Sequence, residues 1–184
     1  MRKFLSLIFA GALALGTTGL VFATDLPADN ARSEQRLSAE VRHQLAMIPQ
    51  VTVFDNLAYK VEGGNVTLYG EVRNAVIKDV AEKSVKRLEG VEQVSNKIEI
   101  LPASFNDDRI RLRVARAVFG DSRLFYYGNE PTPPIRIVVR NGHVDLEGMV
   151  RTQTDKDTAF IRANGVPGVF SVENHLQVEL PNRG

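Results

Sequence analysis

The chain has 184 residues, with 23 Lys and Arg against 22 Asp and Glu and no cysteine. So close a charge balance argues against a nucleic-acid-binding protein, which normally carries a broad basic excess. The absence of cysteine excludes disulfides, thiolate zinc sites, a cysteine nucleophile and a lipid-modified N-terminal cysteine.

The chain opens with Arg2 and Lys3, then runs apolar and uncharged from Phe4 to Val21, and reaches "VFATD" with small Ala23 in an A-x-A-like position. This pattern predicts a secretory signal over residues 1–23. The alternative is an uncleaved membrane anchor, because roughly 18 to 20 apolar residues can span a bilayer. Gly11, Gly16, Thr17 and Thr18, with no basic stop after them, favour cleavage. Cleavage takes two of the 23 basic residues and none of the 22 acidic ones, leaving a formal charge of −1. The expected location is the periplasm, as an exported protein that is not a lipoprotein.

Residues 24–32 read as a flexible N-terminal segment, and a first unit follows over 33–102. Leu37, Val41, Leu45 and Ile48 give a helical stripe. Leu57, Tyr59 and Val61 then alternate with polar residues, Gly63 and Gly64 turn the chain, and Val66, Leu68, Gly70 and Val72 alternate again. That is a β-hairpin with one buried face. Ile77, Val80, Ala81, Ser84, Val85 and Leu88 return to helical spacing, Gly90 stops the helix, and Val94, Asn96, Ile98 and Ile100 form a last strand.

After a short linker at 103–106, the same order recurs over 107–181, and 182–184 are a tail. Val61 to Ile100 lies without gaps on Val139 to Val178 at a constant offset of 78, with Gly64 on Gly142, Gly70 on Gly148 and Asn96 on Asn174. The repeated order αββαβ makes the chain a tandem duplication of the α+β class.

The paired motifs "VTLYGEV" with "GVEQVSNKI" and "VDLEGMV" with "GVFSVENHL" resemble the BON domain family. The resemblance implies a three-stranded mixed sheet packed against two helices in each unit, and an envelope location. It also implies roles in osmotic or envelope stress, phospholipid interaction or chaperone-like binding, with no active site.

The residues themselves offer little for catalysis. His43, His143 and His175 are scattered without metal-ligand spacing, so neither a metal nor a cofactor is expected. Asn96 and Asn174 stand in the apolar register of their strands, where an unpaired amide costs roughly 1 to 3 kcal/mol. They read as structural, fixing strand register through backbone partners. Gly64 and Gly142 serve the turns, and Gly70 and Gly148 fit a close approach of other backbone to the sheet.

The sharpest functional signal lies where the copies diverge. At an offset of 73, Ile110, Val114 and Val118 replace the core residues Leu37, Val41 and Leu45, but Arg113 and Arg116 replace Glu40 and His43, and Leu112 and Phe119 replace Ala39 and Ala46. Leu112, Ala115 and Phe119 form a second apolar stripe, with Arg109, Arg113 and Arg116 as a basic ridge beside it. The offset then rises from 73 to 78 through a longer loop carrying Arg123, Phe125, Tyr126 and Tyr127.

Arginine suits phosphate, and aromatic rings suit the headgroup boundary. The expectation is peripheral binding to an anionic phospholipid membrane surface through Arg109, Leu112, Arg113, Arg116, Phe119, Arg123, Phe125, Tyr126 and Tyr127. Two alternatives stand: Leu112 and Phe119 pack against the first unit while the arginines pair with its acids, or the face meets an envelope protein partner. A chaperone-like or protein-interaction module holding an unfolded client, induced under osmotic or envelope stress, is the other class of function.

Overall fold

A computed structural model describes residues 27–130 and 132–179. The expected signal at 1–23 and the tail at 182–184 lie outside them. The elements are α1 (Pro27–Ala46), β1 (Asn56–Glu62), β2 (Asn65–Val72), α2 (Ala75–Val85), β3 (Gln93–Asn96) and β4 (Glu99–Ile100), then α3 (Phe105–Phe119), α4 (Phe125–Gly128), β5 (Ile135–Arg140), β6 (His143–Val150), α5 (Gln153–Asn164), β7 (Ser171–Asn174) and β8 (Gln177–Val178). Helix α1 takes in residues 27–32, against the expectation of a flexible lead. No described helix is long and apolar enough to cross a membrane.

In each unit the hairpin is antiparallel and the last strand adds in parallel to its second arm. The turn glycines take positive φ where the fold needs it. Asn141 and Gly142 lie at +54° and +82°, a left-handed pair that closes a two-residue hairpin. A Cβ on Gly70 would meet Asn56 O at 2.1 Å, and one on Gly148 would meet Pro134 O at 1.9 Å. The close approach expected at these two positions is therefore made by the backbone at the start of the facing arm.

The last strand is broken where a continuous one was expected. Asn96 Oδ1 accepts from Ile98 N at 3.2 Å and Asn174 Oδ1 from Leu176 N at 3.3 Å, so a side-chain turn interrupts each strand. The same amides donate to Lys78 O at 3.0 Å and Lys156 O at 2.9 Å, tying sheet to helix. Beyond the break Ile100 is 49% exposed and Leu101 is buried instead. Helix α2 also ends sooner than Gly90, with its cap at Lys86; Gly90 lies in the turn into β3 at φ +84°.

The two helices of each unit pack on one face of its sheet. Leu37, Val41, Leu68 and Ile77 lie in the first core, and Ile110, Val114, Leu146 and Ala159 in the second. The units are joined by the segment before β1. Val53 O accepts from Ile137 N at 2.7 Å, Thr52 O accepts from Arg136 Nη1 at 3.0 Å, and Phe54 packs onto the second core. Glu99 and Arg140 add an ion pair at 2.8 Å.

Candidate functional site

Ser104 accepts from Asp107 N at 3.2 Å and so caps α3, and Ile110, Val114 and Val118 fix which side of the helix turns inward. Asp107 is buried and accepts from Asn141 N at 2.9 Å and Gly142 N at 2.8 Å, locking the helix start to the β5–β6 turn. The outward side then follows from helical geometry: Phe105, Arg109, Leu112 and Arg116 fall at i, i+4, i+7 and i+11 along one exposed line. Phe105 is 93% exposed and Leu112 58%. Leu112 is thus not sealed beneath the first unit.

The exposed arginines keep few partners. Arg109 reaches Asn106 Oδ1 and Arg113 reaches Pro167 O, each at 3.4 Å. Among the described residues neither of them, nor Arg116, forms an ion pair with the first unit. Arg111 between them is a core residue: it donates to Val139 O and to Asp108 Oδ1, the latter at 2.7 Å.

The aromatic loop divides. Phe125 is 60% exposed and Arg123 is also exposed. Tyr127, expected at the surface, is 1% exposed; its hydroxyl accepts from Arg151 N at 2.7 Å and donates to Asp155 Oδ2 at 3.1 Å. Burial is the first cause that pushes this phenol far above its ordinary value. Tyr126 lies 4.1 Å ring to ring from Tyr127, under the Arg151 guanidinium, and is half-buried. Phe119 is half-buried as well and packs on Gly128 and on its own unit's core. The second apolar stripe is accordingly cut short at Phe119.

The physical reason is one backbone N–H. In the first unit Arg73 N donates to buried Asp55 at 2.8 Å. In the second the longer loop forms α4 and brings the Tyr127 hydroxyl to the equivalent Arg151 N. Asp155, standing where the first unit has Ile77, completes the network.

Three surface residues escaped the sequence reading. Ile161 on α5 is 65% exposed, and with Arg113 and Arg116 it lines a groove between α3 and α5. Phe160 beside it is 38% exposed, and Phe105 extends the α3 line. A signal existed: at the offset of 78, Phe160 and Ile161 replace Glu82 and Lys83. Arg162 closes the groove, paired with Asp121 at 2.7 Å. The Arg123 backbone N–H, and then Arg162, hold the Asp121 carboxyl below its usual range.

On the opposite, sheet side, Asp145, Glu173 and His175 each offer an atom within 4.8 Å of the others, a grouping that could hold a metal ion. The pairing of Asp145 with Glu173 across β6 and β7 brings them together. No histidine spacing in the sequence announced it. Glu173 and His175 are exposed and pair with each other at 3.3 Å.

The model of the BON domain matches residues 33–102 and again 106–179. The chain belongs to the BON domain family. Among curated relatives, this BON protein is similar to outer membrane lipoprotein DolP of Haemophilus influenzae, at 26% identity over 92% of this chain and 87% of that one. It is also similar to osmotically-inducible protein Y of Escherichia coli, at 26% identity over 82% of this chain and 75% of the relative. Among solved structures, the C-terminal domain of CdsD, from the type III secretion system of Chlamydia trachomatis, aligns with a TM-score of 0.29 at 15% identity, covering 78% of this chain and 98% of that one.

Proposed function

We propose that this is a non-enzymatic periplasmic protein of envelope maintenance or stress, which docks peripherally on anionic phospholipid through the helix face of its second BON domain. The observation that carries the reading is the open flank of α3: Arg109, Arg113 and Arg116 stand beside exposed Leu112 and Phe105, with none of the three in an ion pair among the described residues. Arg123, Phe125 and Ile161 extend the same helical layer. Tyr127 has no part in the contact, and Phe119 and Tyr126 support it from beneath.

Each basic residue near an anionic surface contributes on the order of 1 kcal/mol, and the effect is screened by salt. A few exposed apolar side chains add shallow insertion. Together they give reversible, salt-sensitive docking and not permanent anchoring. The envelope setting is supported by the relatives, one named as an outer membrane lipoprotein and one as osmotically inducible.

Sedimentation with vesicles of phosphatidylcholine containing increasing phosphatidylglycerol tests the reading. Binding is expected to rise with anionic content, to fall with salt, and to drop at least about ten-fold for Arg113→Glu with Arg116→Glu. Binding that ignores anionic content, or survives the double charge reversal, rejects it. Suppression of aggregation of an unfolded periplasmic client by a protein that fails to sediment with vesicles would favour the chaperone-like alternative.

A further inference from the structure

The joint between the two units encloses a cleft of about 480 Å³, inside the range of roughly 300 to 1,000 Å³ typical of small-ligand sites. Its apolar lining comes from Leu45 at the end of α1, Val51 in the joining segment and Leu57 on β1. Arg42 and Arg136 line it from the two different units. The cleft is separate from the outer flank of α3.

Charge in the cleft is unevenly satisfied. Two carboxylates also line it, and each has hydrogen-bond or ion-pair partners other than Arg42 and Arg136. Asp55 accepts from Thr52 N at 2.9 Å, Thr52 Oγ1 at 2.7 Å and Arg73 N at 2.8 Å. Glu130 lies 3.7 Å from Arg151.

Arg136 is half-buried and spends one donor on Thr52 O at 3.0 Å, out of the five that a guanidinium carries. Burial disfavours its charge, and nearby Asp55 offsets this only in part. Arg42 is exposed and has no hydrogen bond or ion pair among the described residues. An apolar floor beneath two cations with spare donors is the complement of a molecule with a hydrocarbon body and an anionic head.

We infer that the inter-unit cleft binds a single-chain organic anion, its carboxylate or phosphate head held by Arg136 and Arg42 and its hydrocarbon chain lying on Leu45, Val51 and Leu57. The cleft's size suits one chain and not a diacyl lipid. The site is distinct from the proposed membrane-docking face, and either can fail without the other.

Calorimetric titration of the purified protein with decanoate and with monodecyl phosphate, both kept below their micellar concentrations, tests it. Saturable binding of one molecule per chain is expected. Arg42→Gln and Arg136→Gln should each weaken it about ten-fold, the loss of a charge-assisted contact. Because Arg136 also holds the joint, Arg42→Gln on the open end of α1 is the cleaner variant. Ala46→Phe, which fills the cleft from its rim, should abolish binding with the unfolding midpoint unchanged.

Arg113→Glu with Arg116→Glu should leave the titration as it was. Binding of decanoate alone assigns a free fatty acid, and binding of the monodecyl phosphate alone a monoacyl phospholipid. Decanol binding as tightly as the anions, or affinity unchanged within about two-fold in both arginine variants, overturns the inference.

Discussion

The first unit carries Ala39, Glu40 and His43 on the outer side of its leading helix, where the second carries Leu112, Arg113 and Arg116. Both helices bury the same three positions: Leu37, Val41 and Leu45 in α1, and Ile110, Val114 and Val118 in α3. The inward faces have been held by the need to fill equivalent cores, and the outward faces have parted. The same split recurs on the companion helices, where Glu82 and Lys83 of α2 are replaced by Phe160 and Ile161 of α5. Two independent elements of the second unit have thus turned their surfaces apolar or basic on one side of the sheet, the side to which docking is proposed above.

Inside the units the comparison teaches something else. One backbone N–H, that of Arg73 or Arg151, is satisfied by a buried carboxylate in the first copy and by a tyrosine hydroxyl backed by Asp155 in the second. The extra loop residues, Tyr127 and the Tyr126 ring stacked on it are used in building that second solution.

The largest effect should come where the two units are alike. Gly148→Ala places a Cβ against Pro134 O in a backbone held at φ +113°, and Gly70→Ala repeats the clash with Asn56 O at φ +109°. Positive φ costs about 1 to 3 kcal/mol, and displacing Pro134 O also strains the hydrogen bond it accepts from Met149 N at 3.1 Å. Denaturant titration should show each substitution costing on the order of 3 kcal/mol. A cost at only one of the two glycines would break the equivalence of the copies.

A smaller effect sharpens the difference between them. Tyr127→Phe leaves Arg151 N–H and Asp155 without their shared partner and should cost about 1 to 3 kcal/mol. Pairing it with Asp155→Ile, which restores the residue type of the first unit, should return part of that loss. A double-mutant cycle measures the coupling, and strict additivity would mean the two side chains act separately.

The smallest effect concerns the polar sheet faces. Burial is the first cause that raises the carboxyls of Glu71, Asp145 and Glu147 above their ordinary values of 4.5, 3.8 and 4.5. A carboxyl raised by folding holds its proton more tightly in the folded chain. The stability it contributes is therefore fully present below the unfolded value and is lost as pH rises through the folded one. Asp145→Asn should remove part of that decline, in the pH window that opens above the ordinary value of 3.8. Urea midpoints of wild type and variant that run parallel over this window would dismiss the contribution.

Much of this molecule was legible in its residues because the signals were local. Alternation over Val66, Leu68 and Val72, helical spacing over Ile110, Val114 and Val118, and the turn pair Asn141 and Gly142 each name a conformation and a buried side without reference to the rest of the chain. The duplication doubled every such signal and carried the family resemblance with it. The outward side of α3 followed by subtraction once its inward positions were known, but that Leu112 on it stays open was decided by how the two units pack.

What the sequence could not settle depends on contacts between residues far apart. Tyr127 looks like a surface aromatic until the Arg151 N–H, more than twenty residues on, requires an acceptor. Arg111 looks like one more basic residue until Val139 O is brought beneath it. The cleft between the units depends on contacts across the joint such as Ile137 N on Val53 O and Arg136 on Thr52 O. Hydrophobic periodicity fixes which side of an element turns inward, since burial of apolar surface is nondirectional and acts on whole faces. Individual hydrogen bonds are directional and long in sequence separation, so only the assembled fold decides which polar group each buried N–H or guanidinium will meet.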